Sequence, residues 1–320
     1  MNILIVNPPR VNGLCVIRED RCEITERESV FPPYSLAQLA AVLREQGHRV
    51  DLIDANCLDL SYDEIKNLVF NHQKLDAIVF RFTPTTFEED LKVSKITKDI
   101  NSDTLTIGIC WTLRDFAENV LEKYDSLDVY VIDEPLISVP KIIDSLDNTK
   151  DLTQVPGIVC RRYKKVVRSK VKCSNFDYNS IPMPAYDLLP SLDKYYLRGN
   201  KGSPYTTIHT SKGCPFGCIY CTVSGTKWNS RSAKTVFEEI KYLYNNHGIK
   251  TISFFDETFT FDRDRVIEIC NKLIDEEIHI TWYCNTRSNK VDLELLKLMR
   301  RAGCKGISLG IESGSQNILD

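Results

Sequence analysis

The sequence predicts an α/β fold in two parts: a doubly wound, Rossmann-like domain over residues 1–150 and a series of βα units over residues 205–320, joined by a hairpin and proline-rich linker over residues 151–204. Three observations predict it. Short β-branched runs alternate with amphipathic stretches through the first part, the pattern of a parallel sheet with crossover helices. The same alternation resumes after Tyr205. Between the two lie Ile181-Pro182-Met183-Pro184 and Pro190, where the prolines favour extended chain over helix.

In the first part, Ile3-Leu4-Ile5-Val6 reads as the opening strand, stopped by Pro8 and Pro9. Leu36, Leu39, Ala40 and Leu43 follow helical spacing, and Gly47 ends that helix before the strand Val50 to Asp54. Ala77 to Phe80 and Thr104 to Ile109 are further strands, separated by a helix carrying Leu91, Val93, Ile96 and Ile100, and Asp128 to Ile132 is a fifth. Doubly wound sheets bind ligands at the carboxyl ends of their strands. The candidate rim is therefore Asn7 to Arg10, Asp54 to Asn56, Thr83 to Thr86, Gly108 to Thr112, and Asp133-Glu134. Glycines in this part are limited to Gly13, Gly47 and Gly108, so a GxGxxG dinucleotide motif is disfavoured.

In the linker, Gly157 to Cys160 and Val166 to Ser169 pair as a hairpin around Arg161-Arg162-Tyr163-Lys164-Lys165, a charge run that reads as a solvated turn. From Tyr205 onward, strands are expected at Thr206 to His209, Thr251 to Phe255, Ile280 to Cys284 and Gly306 to Ile311. Ser232, Asp262 and Asp292 stand in N-cap positions before the intervening helices, whose buried stripes include Val236, Ile240 and Leu243, then Val266, Ile269 and Leu273, then Leu295, Leu298 and Met299. Repeated βα units with right-handed crossovers close into a barrel or half-barrel.

Composition narrows the function. Of 320 residues, 41 are Lys or Arg and 44 are Asp or Glu, a net charge of −3, so no basic excess is available for a nucleic-acid backbone. The apolar runs are strand-length, too short for a membrane span. Met1 to Val6 has no basic n-region and reads as a strand rather than a signal peptide. A soluble, cytoplasmic enzyme is expected. Its twelve cysteines then have no oxidising compartment in which to form a disulfide framework, so some of them should bind metal or react.

Cys214, Cys218 and Cys221 lie within eight residues as CxxxCxxC, directly after the first strand of the second part. Three thiolates on one loop can hold three irons of a cubane cluster, with Gly213 and Gly217 giving the backbone freedom to fold around it. A zinc site competes, but structural zinc takes four ligands and no fourth Cys or His sits at a customary spacing, which leaves distant Cys284 or His209. Cys110, Cys160, Cys270 and Cys304 sit in apolar runs and read as small buried hydrophobes. Cys284 ends a strand and is expected to face the site, while Cys15, Cys22, Cys57 and Cys173 match no metal spacing.

This cysteine motif, with Tyr220 before its last cysteine, resembles the radical S-adenosylmethionine signature, and the resemblance extends over 205–320. It implies a (β/α)6 TIM-like barrel and a 4Fe-4S cluster whose open iron is chelated by S-adenosylmethionine, which is reductively cleaved to a 5′-deoxyadenosyl radical. It also implies roles for Asp256 and Glu257 at the methionine amine, and for Asn285 and Arg287 at the ribose or carboxylate. Glu312 and Ser313, in a GIESGS segment, would approach the ribose or amino group, with Tyr220 beside the adenine. An electron donor such as flavodoxin or ferredoxin is the implied partner.

The first part, with Phe31-Pro32-Pro33-Tyr34-Ser35-Leu36-Ala37-Gln38-Leu39-Ala40 and Gly47-His48-Arg49-Val50, resembles the cobalamin-binding domain of the cobalamin-dependent class, as does Ile181 to Pro190. Asn7, Thr83, Thr85 and Gly108 are the implied cobalamin contacts, without a histidine ligand because DxHxxG is absent. Two loops depart from the pattern, Gly108-Ile109-Cys110-Trp111 and Asp133-Glu134-Pro135, and Trp111 either packs on the corrin or blocks the channel for its tail. The resemblance implies methylation of an unactivated carbon of a small molecule, lipid or natural-product intermediate. A radical cyclase, oxidase or rearrangement enzyme without methyl transfer, or a non-catalytic zinc or iron–sulfur module, are the alternatives. Only four βα units follow Tyr205, whereas a six-unit barrel at roughly 30 residues per unit needs about 180. A fragment or truncated reading frame is therefore expected.

Overall fold

The computed structural model describes residues 1–19, 25–26, 29–72, 74–147, 151–162, 165–174, 176–198 and 203–319, so Cys22, Tyr163, Lys164 and Asp320 lie outside the described residues. The chain divides into two units, one comprising Met1–Phe176 with Ile181–Ser191, the other Asp177–Ser180 with Leu192–Asp320.

The first unit is built on a seven-stranded sheet: β1 (Asn2–Asn7), β2 (Arg49–Asp54), β3 (Ala77–Arg81), β4 (Leu105–Ile109), β5 (Val129–Val131), β6 (Ile158–Arg162) and β7 (Lys165–Arg168), in the order β2-β1-β3-β4-β5-β6-β7. The first five run parallel, in the 2-1-3-4-5 order of a doubly wound sheet, which puts the topological switch point between β1 and β3. Ile3, Leu4, Ile5 and Val6 are fully buried, as a strand covered on both faces requires. Phe82 packs edge-on against Tyr130 at 5.0 Å, and Tyr130 donates its hydroxyl to the Cys110 carbonyl at 2.9 Å.

Helices cover the sheet: α1 (Tyr34–Glu45), α2 (Tyr62–Asn71), α3 (Lys92–Ile100), α4 (Ala117–Lys123) and α5 (Pro135–Asp147). Two of these carry signals that the strand pattern hides. Helix α2 opens with a reciprocal capping box between Ser61 and Glu64. Helix α5 starts on Pro135, a residue suited to a first turn, but holds Pro140 inside, which removes a backbone donor and masks the helix in the sequence.

The hairpin expected in the linker is part of this sheet. β6 pairs antiparallel with β5 through Val129↔Cys160, Tyr130↔Val159 and Val131↔Ile158, and β7 pairs with β6. Ile158, Val159 and Cys160 are buried because they cover what would otherwise be an open edge of β5. Arg168 of β7 reaches Glu118 of α4 with both prongs, at 2.5 and 2.6 Å. The proline-rich stretch also belongs to this unit: the Ala185 amide donates to the Ala37 carbonyl at 3.0 Å, Arg44 pairs with Asp187 at 2.7 Å, and Tyr186 is buried.

The second unit holds a four-stranded parallel sheet in chain order, β8 (Tyr205–Ile208), β9 (Thr251–Phe254), β10 (Thr281–Thr286) and β11 (Cys304–Leu309). Helices α6 (Ala233–His247), α7 (Arg263–Asp275) and α8 (Leu293–Arg301) alternate with the strands. Ser232, Asp262 and Asp292 cap them as expected, accepting backbone N–H bonds at 3.1, 3.1 and 2.8 Å. Trp282 is fully buried against the stacked pair Phe254 and Phe259 and donates to the Ala302 carbonyl at 2.8 Å. β11 starts two residues earlier than its apolar run suggests, through a register shift opposite Trp282 and Tyr283. Among the described residues it pairs on one side only, and Leu309 and Ile311 beside it are exposed. No helix among the described residues is long and apolar enough to cross a membrane.

The Arg168 guanidinium holds the Glu118 carboxyl below its usual value. A carboxyl depressed on folding stabilises above its unfolded pKa, and that contribution is lost as the pH falls through the folded value. Both side chains are more than a third exposed, so Arg168→Met should cost about 1 kcal/mol or less at neutral pH. Urea unfolding across the acid range should show the gap between the two proteins closing below about pH 4. A gap that stays constant in acid would mean that lost packing, not the ion pair, is what the substitution reports.

Candidate functional site

The three cysteines sit in a loop closed at its base. After β8, Ser211 and Lys212 pair antiparallel with Ser230 and Asn229, leaving residues 213–228 as a loop at the carboxyl end of the first strand. Gly213 makes the closure possible: its φ is +88°, and a Cβ there would lie 2.2 Å from the Lys227 carbonyl oxygen. Gly217, expected to share that duty, does not have a positive φ and has open space around it. Inside the loop, the Cys214 amide donates to Thr226 Oγ1 at 2.9 Å, the Gly225 amide to the Phe216 carbonyl at 2.9 Å, and the Cys221 amide to the Cys218 carbonyl at 3.2 Å.

All three thiols are partly exposed and none is in a disulfide. Arg287, at the end of β10, donates from Nη1 to Cys218 Sγ at 3.3 Å while its guanidinium lies 4.2 Å from the Phe216 ring centre. Among the described residues, no three His, Cys, Asp or Glu side chains are gathered as they would be around a single metal ion. A cubane cluster makes no such demand, because each thiolate binds a different iron. The donor set of three free thiols with a guanidinium alongside therefore fits an anionic iron–sulfur cluster.

The residues expected around it divide. Tyr220 and Glu312 are brought together: a hydrogen bond to Glu312, then local loss of hydration and the charges of Glu312, Cys218 and Cys221, push the exposed Tyr220 phenol up to about 12. Glu312 takes a left-handed φ of +60°, an uncommon conformation for a residue with a side chain. Ser313 is tied into the same turn, its amide donating to the Ile311 carbonyl at 2.6 Å and its Oγ accepting from Ser315. Asn285 donates to the backbone carbonyl of Asp256 at 3.4 Å, and Glu257 is half-buried beside it.

Asp256 itself turns inward. It is fully buried, and its carboxylate accepts the Thr210 amide at 2.7 Å, the Thr210 hydroxyl and the Ser211 hydroxyl at 2.7 Å. Arg265 of α7 stands 3.6 Å away, its guanidinium pulled below the ordinary value by burial and pushed back up by Asp256 and Asp262. Cys284, expected at the site, is buried and hydrogen-bonds Cys304; that bond and burial push its thiol up. His209 stacks on Phe255 at 5.5 Å.

In the first unit, the loops after β1 and β3 meet at the switch point. Asn7 donates to Asp54 at 2.8 Å, and its own Oδ1 is buried with no donor among the described residues. The Thr83 hydroxyl bonds those of Thr85 and Thr86 at 3.0 and 2.9 Å. Asp90 accepts from Thr86 and from Arg18, whose guanidinium also donates to the Pro8 and Pro9 carbonyls. This Arg18–Asp90 pair, 2.7 Å long and buried, leaves no signal in the sequence, since Arg18 sits in a charged run and Asp90 follows Glu88-Glu89. Gly108 is accounted for by packing, because a Cβ there would lie 2.9 Å from the Phe82 ring. Trp111 is covered by its neighbour Arg114, 4.3 Å from the ring centre. The orphaned Asn7 oxygen and the adjacent threonine hydroxyls fit a ligand bearing amide donors, such as the side chains of a corrin.

Residues 208–320 match the family model described as the radical SAM superfamily. A protein of Pyrococcus horikoshii named an uncharacterized methyltransferase is 32% identical over 325 residues, covering 100% of this chain and 67% of that protein. The anaerobic magnesium-protoporphyrin IX monomethyl ester cyclase of Synechocystis is 28% identical over 330 residues, covering 100% of this chain and 62% of the cyclase. Among solved structures, the cobalamin-dependent S-adenosylmethionine radical enzyme OxsB, with aqua-cobalamin and S-adenosylmethionine bound, has the same fold: TM-score 0.79, 21% identity, 99% of this chain and 45% of that one. The chain thus spans about two thirds of the two curated relatives' length.

Gly213→Ala should open the loop base, at a cost of about 1–2 kcal/mol from its left-handed φ alone. Hydrogen exchange of residues 211–230 should accelerate, while Gly217→Ala leaves it unchanged. Equal protection in both variants would show that the closure does not depend on Gly213.

Proposed function

The chain belongs to the radical S-adenosylmethionine superfamily, and from that membership we propose that it is a cobalamin-dependent radical enzyme that methylates an unactivated carbon of a small molecule, lipid or natural-product intermediate. The observation that carries this reading is the set of three free thiols closed into one loop at the carboxyl end of the first strand of a parallel sheet. When bound, a 4Fe-4S cluster with S-adenosylmethionine supplies one-electron cleavage of the sulfonium, and cobalamin supplies a transferable methyl group.

The chain's own groups have separable tasks. Cys214, Cys218 and Cys221 would hold the cluster through three of its irons. Arg287 donates toward Cys218 and balances charge there. Of the acidic pair after β9, Glu257 is the candidate for the methionine ammonium, since the carboxylate of Asp256 is engaged by Thr210, Ser211 and Arg265. Asn285 and Ser313 would supply polar groups for the carboxylate and ribose, and the Tyr220–Glu312 pair would serve the adenine and ribose. In the first unit, Asn7, Thr83 and Thr85 would hydrogen-bond the corrin amides, and Gly108 leaves room for the Phe82 ring. A one-electron donor of the flavodoxin or ferredoxin kind completes the system.

The cyclase relative favours a second reading, in which the same radical chemistry closes a ring without methyl transfer. Anaerobic reconstitution separates the possibilities. The leading reading expects about four irons per chain, 5′-deoxyadenosine on addition of dithionite, tight cobalamin binding, and label in the product from methyl-labelled S-adenosylmethionine. Alanine at any of the three cysteines should abolish the first two. Deoxyadenosine without label transfer would select the cyclase type of chemistry, and stoichiometric zinc without cleavage would sink both.

A further inference from the structure

We propose that Asp256 and Arg265 form a buried clamp that holds the cysteine loop in register for its cluster, so that Asp256 is a positioning residue and not a contact to S-adenosylmethionine. The inference rests on the radical-enzyme reading for the purpose of the loop, and on the geometry of the second unit for the clamp itself. Arg265 reaches out of the first turn of α7 to both ends of the loop. Its Nη1 donates to the Thr210 carbonyl at 3.2 Å, to Thr210 Oγ1 at 2.9 Å and to the Arg231 carbonyl at 3.4 Å, and its Nη2 to the Phe259 carbonyl at 3.3 Å. Asp256 binds the same entry point from β9, through the Thr210 amide and hydroxyl and the Ser211 hydroxyl.

The exit is fixed as firmly. The Arg231 amide donates to the Thr210 carbonyl at 2.9 Å, and its guanidinium pairs at 2.5 Å with Glu239 of α6. Asp256 and Glu239 are fully buried, and Arg231 and Arg265 are 3% and 6% exposed. Ion pairs so deeply buried add little to stability over apolar residues of the same volume, because desolvation offsets their attraction. What they impose is geometry. A guanidinium satisfied by several carbonyls and a carboxylate tolerates little displacement of the chain ends that carry them. Two such pairs converge on the two ends of the segment that carries the three thiols.

The test uses the full chain, with two variants. Thr210→Val/Ser211→Ala removes two hydroxyl donors to Asp256 and the Thr210 oxygen that accepts from Arg265 but leaves both ion pairs, whereas Asp256→Asn breaks the clamp itself. In cluster-free protein under anaerobic conditions, deuterium labelling of the loop-base amides of Thr210 and Arg231, read by mass spectrometry, should be about tenfold faster in both variants, the scale of one to three lost hydrogen bonds. Labelling of the amide of buried Cys270 should not change. After reconstitution, both variants should hold less iron and sulfide than the wild type.

Normal labelling and iron together with weakened S-adenosylmethionine binding would make Asp256 a cofactor contact and overturn the proposal. Faster labelling of Cys270 in the double variant would overturn it too, since the network would then serve the core and not the loop. Failure of the wild type to take up iron would remove the radical-enzyme reading alone, because the labelling comparison needs no cluster.

Discussion

A parallel strand can be followed by another in the same sheet only through a crossover that returns the chain to its starting end, so the carboxyl ends of all the parallel strands lie at one edge. Both units obey this constraint, and the candidate residues follow from it. Cys214, Glu257, Arg287 and Glu312 come from four loops far apart in sequence, yet each follows a strand of the same four-stranded sheet. Asn7 and Thr83 are brought near one another in the first unit for the same reason, on either side of the switch point between β1 and β3.

The loops that emerge at such an edge carry polar work and cannot be fastened by an apolar core of their own. Each unit ties them down with a buried Arg–Asp pair. Arg18 joins Asp90 to the carbonyls of Pro8 and Pro9, linking the loops after β1 and β3. Arg265 joins Asp256 to Thr210, Arg231 and Phe259, linking the loops after β8 and β9. Arginine suits this place because its five donors lie in a rigid plane, so one side chain satisfies a carboxylate and several carbonyls at once.

How far the sequence foretold all this depends on the kind of signal. Strands buried on both faces, such as Ile3 to Val6, are legible because burial demands unbroken apolar runs, and the helices capped by Ser232, Asp262 and Asp292 because their caps are local. Helix α5 is obscured by Pro140, and the membership of the hairpin in the first sheet is a matter of pairing at long range. At the site, the cysteine spacing and the companion segments are readable as a motif. Arg18, Asp90, Arg231 and Arg265 are not, because a charged residue in a polar stretch looks the same whether it faces solvent or closes a buried network. Asp256 is the converse case: its motif position suggested a ligand contact, and the fold shows its carboxylate bonded to Thr210 and Ser211.

The distribution of rigidity within the cysteine loop bears on how it can accept a cluster. Its base is held by the two-stranded ribbon, by the left-handed turn at Gly213 and by the clamp, so the entropy of bringing the ends together is already lost in the folded protein. The segment from Cys214 to Cys221 is different. Cys214 and Phe216 are bonded to Thr226 and Gly225 across the loop, but Gly217 has space around it, and Ile219 and Tyr220 at the tip are exposed. A loop fixed at its base and free along its middle can adjust three sulfurs to three irons without reopening the fold. Preorganisation at the base then limits the ordering that cluster binding must still pay for, while the free middle avoids the strain that a fully rigid loop would impose on the cubane.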